Sequence, residues 1–347
     1  AQVGAEDLMD FYVDDVSAER LPEPAAQTDI PSLKDVYKDY FILGGSCSKA
    51  DINLQVCRDI INKHYNSLTF GNTLKPDSCL DYSSTIAYLE STGDQTNPQV
   101  SLEAAKNQLE FAAENHIKVR GHVLVWHSQT PDWFFKENYD AEGDWVSKDI
   151  MIQRLENYIK NMMNALATQY PDVEIYAWDV VNEAFESNGE MRAAGSNNTV
   201  TGQSAWMSVF GDDSFIDYAF EFARKYAPEG CKLFYNDYNE YAPVKRDAIY
   251  EKAKELKEKG LIDGIGMQSH ISMSYPSLAL YEEAFRKYNE LGLEIHVTEL
   301  DIDQKSNSKQ SMLELAQRYQ DVFKLYKKLV DDGVNITAVV TWGISDS

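Results

Sequence analysis

The chain predicts an α/β fold, specifically a (β/α)8 TIM barrel, on three observations. From Phe41 onward, apolar runs of strand length alternate with segments of helical period, the order that builds a parallel sheet. There are eight such runs, the number that closes a barrel. The length of 347 residues suits one barrel of about 250 residues plus insertions. An open doubly wound sheet is the alternative, but no glycine-rich phosphate loop follows the first strand.

Taken in order, the runs are FILGG (41–45), SLTFG (67–71), IKVRGHVLVWH (117–127), EIYAWDVVN (174–182), KLFYND (232–237), GIGMQSH (264–270), LEIHVTELDI (293–302) and ITAVVTWGI (336–344). Helical stripes lie between them. Leu102, Ala105, Leu109 and Ala112 mark one, and Ile152, Leu155, Ile159, Met162 and Leu166 a second. Met312, Ala316, Tyr319, Phe323, Tyr326 and Val330 mark a third. All step by three or four, the spacing that lines up one helix face. Pro243 opens a further helix that Gly260 closes, and Gly292 closes the next.

Residues 1–33 differ from the rest. FYVDDVS (11–17) has strand character, and ERLPEPAAQTDIPSL (19–33) reads as an extended linker. One strand cannot stand alone, so 1–33 is expected to be the remnant of an upstream β-rich module plus linker. Residues 34–347 are expected to form the barrel. The eighth strand is followed only by SDS, so the eighth helix is missing from this chain.

Composition narrows the function. Hydrophobic residues make up 44% of the chain, enough for a sizeable core. No apolar run approaches the roughly 20 residues of a membrane span. The N-terminus lacks the basic and apolar regions of a signal peptide; an export signal, if any, has been removed or lies upstream. A formal net charge of -24 repels phosphate backbones and argues against nucleic acid. Cys47, Cys57, Cys79 and Cys231 form no CxxC pair and read as mostly buried thiols.

In such a barrel, chemistry sits at the carboxyl ends of the strands. Those ends carry Asn72 and Lys75; His122, Trp126 and His127; Asn182 and Glu183; Asn236, Asp237 and Tyr238; Gln268, Ser269 and His270; Thr298, Glu299 and Asp301; and Trp342. Glu183 and Glu299 end the fourth and seventh strands, which stand across a barrel from each other, so both carboxylates can face one cleft. Two carboxylates among amides, imidazoles, a lysine and indoles describe a glycoside-hydrolysing site. One carboxyl must donate a proton to the leaving oxygen while the other attacks.

Blander readings exist for each residue. Glu183 alone could be a helix-cap neighbour, His122 a core histidine, and His270 with Asp301 a structural ion pair. Trp133, Trp145 and Trp206 lie off the strand ends and read as packing. A zinc site from His122, His127, Glu183 and His270 lacks a helical HExxH, so neither metal nor cofactor is expected.

The motifs RGHVLVWHSQTPDW (120–133), WDVVNEAF (178–185), LFYNDYN (233–239), GIGMQSH (264–270), HVTELDI (296–302) and TWGISD (341–346) together resemble glycoside hydrolase family 10, from about Leu33 to Ser347. The resemblance implies an endo-1,4-β-xylanase with a retaining mechanism, acting on xylan or xylo-oligosaccharides and secreted. It implies Glu183 as general acid/base and Glu299 as nucleophile. Asn182 would hold the 2-hydroxyl of the sugar at the cleavage point. His270 would orient Glu299, held in turn by Asp301, and Gln268 would sit near Glu183. His122, Lys75 and Trp126 would line the scissile-sugar subsite, with Asn72 at the next sugar out. Tyr238 would lie on the leaving-group side, and Trp342 over the non-reducing side.

Two features depart from the family pattern. Gly71 stands where a glutamate usually precedes the asparagine, and the chain stops before a second tryptophan. FYVDDVS is similar to the closing strand of family 22 or family 4 carbohydrate-binding modules, which implies such a module in the parent chain. Other retaining barrel glycosidases, a β-1,4-glucanase or mannanase, are the nearest alternatives; a non-catalytic polysaccharide-binding barrel is a third.

Overall fold

The computed structural model describes residues 25–197 and 200–344. The expected strand at 11–17 and the residues after Ile344 lie outside them.

Among the described residues nine strands form: β1 Ile42–Cys47, β2 Ser67–Phe70, β3 Lys118–Trp126, β4 Ile175–Asn182, β5 Lys232–Asp237, β6 Gly264–Met267, β7 His270–Ser272, β8 Glu294–Asp303 and β9 Ile336–Thr341. All ladder pairings between them are parallel. β1 pairs with β2 and β9, and β6 pairs with both β5 and β8, so eight strands close a barrel. The short β7 lies outside that ring and, among the described residues, pairs only with β8. Every expected run became a strand, with ends within three residues of the sequence reading.

One run is cut. The expected sixth strand, 264–270, stops at Met267, because Ser269 adopts a left-handed backbone with φ 64. A side chain with φ > 0 is uncommon and costs energy, so something must hold it there.

Two cores result from the strand alternation. The outer one packs helices on the barrel. Trp178 is fully buried there and lies against Gly121 of the neighbouring strand, where an added Cβ would meet the indole at 2.3 Å. Inside the barrel, Arg120, Asp179, Phe234 and His296 come together from four strands. The Arg120 guanidinium pairs with Asp179, lies 4.6 Å from the Phe234 ring centroid and reaches His296. A buried charge is costly unless paired and hydrogen-bonded, and here every member has a partner.

The helices start where sequence signals place them. Ser147 caps Lys148–Gln169, Ser308 caps Lys309–Asp331, and Pro243 sits in the first turn of Pro243–Glu258. Gly260, at φ 70, follows that helix. The Leu102, Ala105, Leu109 and Ala112 stripe is buried throughout. The second stripe is rotated slightly: Met151, Tyr158 and Met163 join the buried face, while Ile152 is only half-buried. The third is corrected over its first turns. Met312 is 46% exposed and Ala316 is exposed, whereas Val322, Leu325, Tyr326 and Leu329 are buried. Periodicity sets which face turns inward, but the barrel covers only the later turns. All four cysteines are buried thiols outside any disulfide.

Candidate active site

The strand-end residues converge at one mouth of the barrel, and hydrogen bonds connect them. Asn236, at the end of β5, occupies the middle. Its amide nitrogen donates to Glu299 Oε1 at 2.9 Å and to Asn182 Oδ1 at 2.9 Å. Its own Oδ1 accepts from Thr298 at 2.6 Å, which fixes the amide's orientation. Gln268 Nε2 donates to Asn182 Oδ1 at 3.1 Å and to Glu183 Oε1 at 2.9 Å. A continuous chain of amide hydrogen bonds thus links the two glutamates through Gln268, Asn182 and Asn236.

Glu183 is presented by a bend. Just past β4 its backbone turns left-handed, with φ 53, and its N–H donates to Asn236 O at 2.9 Å. Trp126 Nε1 donates to Glu183 Oε2 at 3.0 Å. Arg192, buried in the loop after β4, donates through Nε to the Glu183 carbonyl and stands 3.9 Å from Oε2. The other guanidinium nitrogens reach Glu186 Oε1 at 2.8 Å and the Tyr238 hydroxyl at 3.3 Å.

Glu299, near the end of the main β8 ladder, is buried. Its Oε2 lies 3.3 Å from His270 Nε2, and His270 Nδ1 lies 2.8 Å from Asp301 Oδ2. Burial alone would lower the His270 pKa, but the hydrogen bonds to Asp301 and Glu299 raise it to about 10. The ring is therefore an imidazolium at neutral pH. His270 and Asp301 are more than a surface pair, because the imidazolium bridges to Glu299.

The remaining expected residues line the same mouth. Burial lowers the Lys75 pKa, partly offset by Glu299, Asp77 and Glu183. Its ammonium donates to Asn72 Oδ1 at 3.1 Å and Gln129 Oε1 at 2.8 Å, and lies 4.8 Å from the Trp126 ring centroid. His122 is buried with Nδ1 3.0 Å from Asp179 Oδ2, so the interior Arg120–Asp179 pair also sets the imidazole. Trp342 packs edge-on to His122 and His270, at 5.6 and 6.3 Å between ring centroids. The Tyr238 ring lies 3.5 Å from the Lys245 ammonium, and Lys245 pairs at 2.7 Å with the fully buried Asp237. His127 is buried; burial, with Arg192 and Lys245 nearby, lowers its pKa to about 3.

Trp206 packs as expected, buried with its indole N–H on Trp126 O at 3.1 Å. Trp133 and Trp145 are half-buried against the core. Sequence reasoning assigned no role to Asn236, although it appeared among the strand ends, and missed Gln129 and Arg192. Both of these sit in loops, where no periodic signal marks them.

The sequence profile described as glycosyl hydrolase family 10 matches residues 32–347. The bifunctional endo-1,4-beta-xylanase XylA of Ruminococcus flavefaciens is 46% identical over 91% of this chain and 31% of its own length. Endo-1,4-beta-xylanase Y of Acetivibrio thermocellus is 41% identical over 99% of this chain and 32% of its own. The chain thus spans about a third of these curated relatives. Among solved structures, the CBM22-1–GH10 modules of Clostridium thermocellum xylanase 10B, complexed with xylohexaose, match with a TM-score of 0.80 and 42% identity, over 90% of this chain and 61% of that one. The intracellular xylanase TsXylA of Thermoanaerobacterium saccharolyticum matches with a TM-score of 0.78 and 35% identity, over 93% and 91%.

Proposed function

The chain belongs to glycosyl hydrolase family 10, and from that premise we propose that it is an endo-1,4-β-xylanase working by a retaining double displacement. The observation that carries the reading is the hydrogen-bonded chain joining Glu183 to Glu299 across the barrel mouth. Relatives named as xylanases, and a similar structure complexed with xylohexaose, support xylan as the substrate class.

In the first step, Glu299 attacks the anomeric carbon. The bond to the departing sugar breaks as Glu183 gives its proton to the leaving oxygen, and a glycosyl ester of Glu299 forms. In the second, Glu183 takes a proton from water, the water oxygen bonds to the anomeric carbon, and Glu299 is released as carboxylate. Two displacements at one carbon restore its configuration. Asn182, held by Asn236 and Gln268, supplies an amide for the 2-hydroxyl, where contacts strengthen towards the transition state. His270 keeps Glu299 in line, and Lys75, His122, Trp126 and Trp342 wall the sugar site. Asn72 serves the next sugar out and Tyr238 the leaving group. We also propose that the barrel works beside a carbohydrate-binding module, as in the CBM22-1–GH10 neighbour, and is exported.

Reducing-end release from xylan, cellulose and mannan, measured side by side, separates the substrates; xylan should dominate. Proton NMR of the first-formed product should show the β-anomer before mutarotation. Dominant release from cellulose or mannan, or a first product in the α-configuration, contradicts the proposal.

A further inference from the structure

Gln268 and His270 touch Glu183 and Glu299 respectively, yet only one residue separates them, and it is the strained Ser269. The turn that aims both side chains is gripped from β8 and from the segment after β5. The Gln268 N–H donates to Asp237 O at 3.0 Å, and Gln268 O accepts from Glu299 N at 3.0 Å. At its centre, Ser269 N–H donates to Glu240 Oε1 at 3.1 Å, and the Ser269 hydroxyl lies 3.2 Å from the same oxygen.

Glu240 is fully buried. Its own carbonyl accepts from the Tyr288 hydroxyl at 2.9 Å, which fixes the backbone that carries it. The next residue adds a second grip: the Tyr241 hydroxyl lies 3.4 Å from the His270 carbonyl oxygen. From behind, the Tyr281 hydroxyl donates to Ser269 Oγ and pairs with the Tyr326 hydroxyl. A buried carboxyl is costly, and Glu240 Oε2 has no hydrogen-bond partner among the described residues. An apolar side chain would avoid that cost, so the acceptor oxygen is what the position supplies.

We propose that Glu240 is a positioning residue for both glutamates, acting through Ser269 to hold Gln268 on Glu183 and His270 on Glu299. The catalytic consequence rests on the functional reading above; the structural link does not. What the turn needs is an acceptor at the right reach. Burial pushes the Glu240 carboxyl up to about 7, so its neutral form is accessible near neutrality, and the neutral isostere glutamine suits the pocket. Aspartate keeps the charge but withdraws the acceptor by about one bond length, beyond good hydrogen-bond geometry.

Glu240→Gln and Glu240→Asp therefore separate reach from charge. In Glu240→Asp, kcat on xylo-oligosaccharides should fall about 10- to 100-fold with KM within about threefold, the size expected when catalytic groups drift by about an ångström. The Ser269 amide should exchange its hydrogen at least about tenfold faster than in the wild type. In Glu240→Gln, kcat and Ser269 exchange should both stay within about threefold of wild type, with thermal midpoints as the folding control. Wild-type kcat and protection in Glu240→Asp, or equal losses in the two variants, would overturn the proposal. If the wild type does not act on xylan, the functional reading fails on its own, and Ser269 exchange still decides the positioning claim.

Discussion

Glu183 and Glu299 are the same residue type at the ends of strands three places apart in the eight-stranded ring, yet their surroundings differ in kind. The two oxygens of Glu183 accept from neutral donors, the Gln268 amide and the Trp126 indole. Its nearest guanidinium, Arg192, spends its donors on the Glu183 carbonyl, Glu186 and Tyr238. Glu299 accepts from Asn236 on one oxygen and faces the His270 imidazolium on the other. In the proposed mechanism, the glutamate that carries negative charge into attack has a fixed cation in hydrogen-bond reach. The glutamate that passes a proton out and back takes both of its carboxylate hydrogen bonds from donors that do not titrate. Under that proposal, environment rather than residue identity divides the labour.

The sharpest way to break this comparison is to delete each carboxylate in turn. Glu299→Ala should lower kcat on every substrate by about 10⁴-fold or more, because no ester can form. Glu183→Ala should cost about 10²- to 10⁴-fold on xylan, the usual worth of a general acid. On an aryl glycoside whose leaving group needs no proton, the first step should lose far less. Steady-state kinetics on both substrates checks this, and equal losses for Glu183→Ala would erase the distinction.

A smaller effect concerns the cation beside Glu299. The folded-state pKa of His270 is raised to about 10 from an ordinary value of 6.5. Its contribution to stability is therefore fully present below about pH 6.5 and is lost as pH rises through about 10. The thermal midpoint of wild type should exceed that of His270→Gln at pH 6, and the gap should close by about pH 11. A gap that widens with pH would show that the ring is neutral in the folded protein.

The smallest effect lies at the outer sugar. An added Cβ at Gly71 would meet only Ser46 Oγ at 3.5 Å and Cys47 O at 3.9 Å, ordinary contact distances. Gly71→Glu should restore a sugar contact of about 0.5–1.5 kcal/mol, a roughly three- to tenfold gain in affinity for longer xylo-oligosaccharides. Calorimetry in a Glu299→Ala background measures it, and the shortest oligosaccharides should show no gain.

What could be read in advance follows the same division between strands and loops. A parallel strand buried on both faces is a continuous apolar run, and it announces its end by a switch to polar residues. That is why Asn182–Glu183 and Thr298–Glu299 stood out, and why the barrel itself was legible. Arg192, Gln129 and Glu240 reach the site from loops and turns, placed by tertiary contacts that leave no period. GIGMQSH read as one strand because nothing local shows the left-handed Ser269, whose conformation is held by Glu240 from another part of the chain. Met312 fitted its helical stripe, but a stripe does not say where the covering barrel ends.

The most direct test of the division of labour is to trap the ester. The protein is incubated with an activated 2-deoxy-2-fluoro xylobioside, whose first displacement outruns the second, then digested and analysed by peptide mass spectrometry. A single xylobiosyl adduct on the peptide containing Glu299, lost on Glu299→Ala, is the predicted result. An adduct on Glu183, or turnover without any adduct alongside an inverted product, would contradict it.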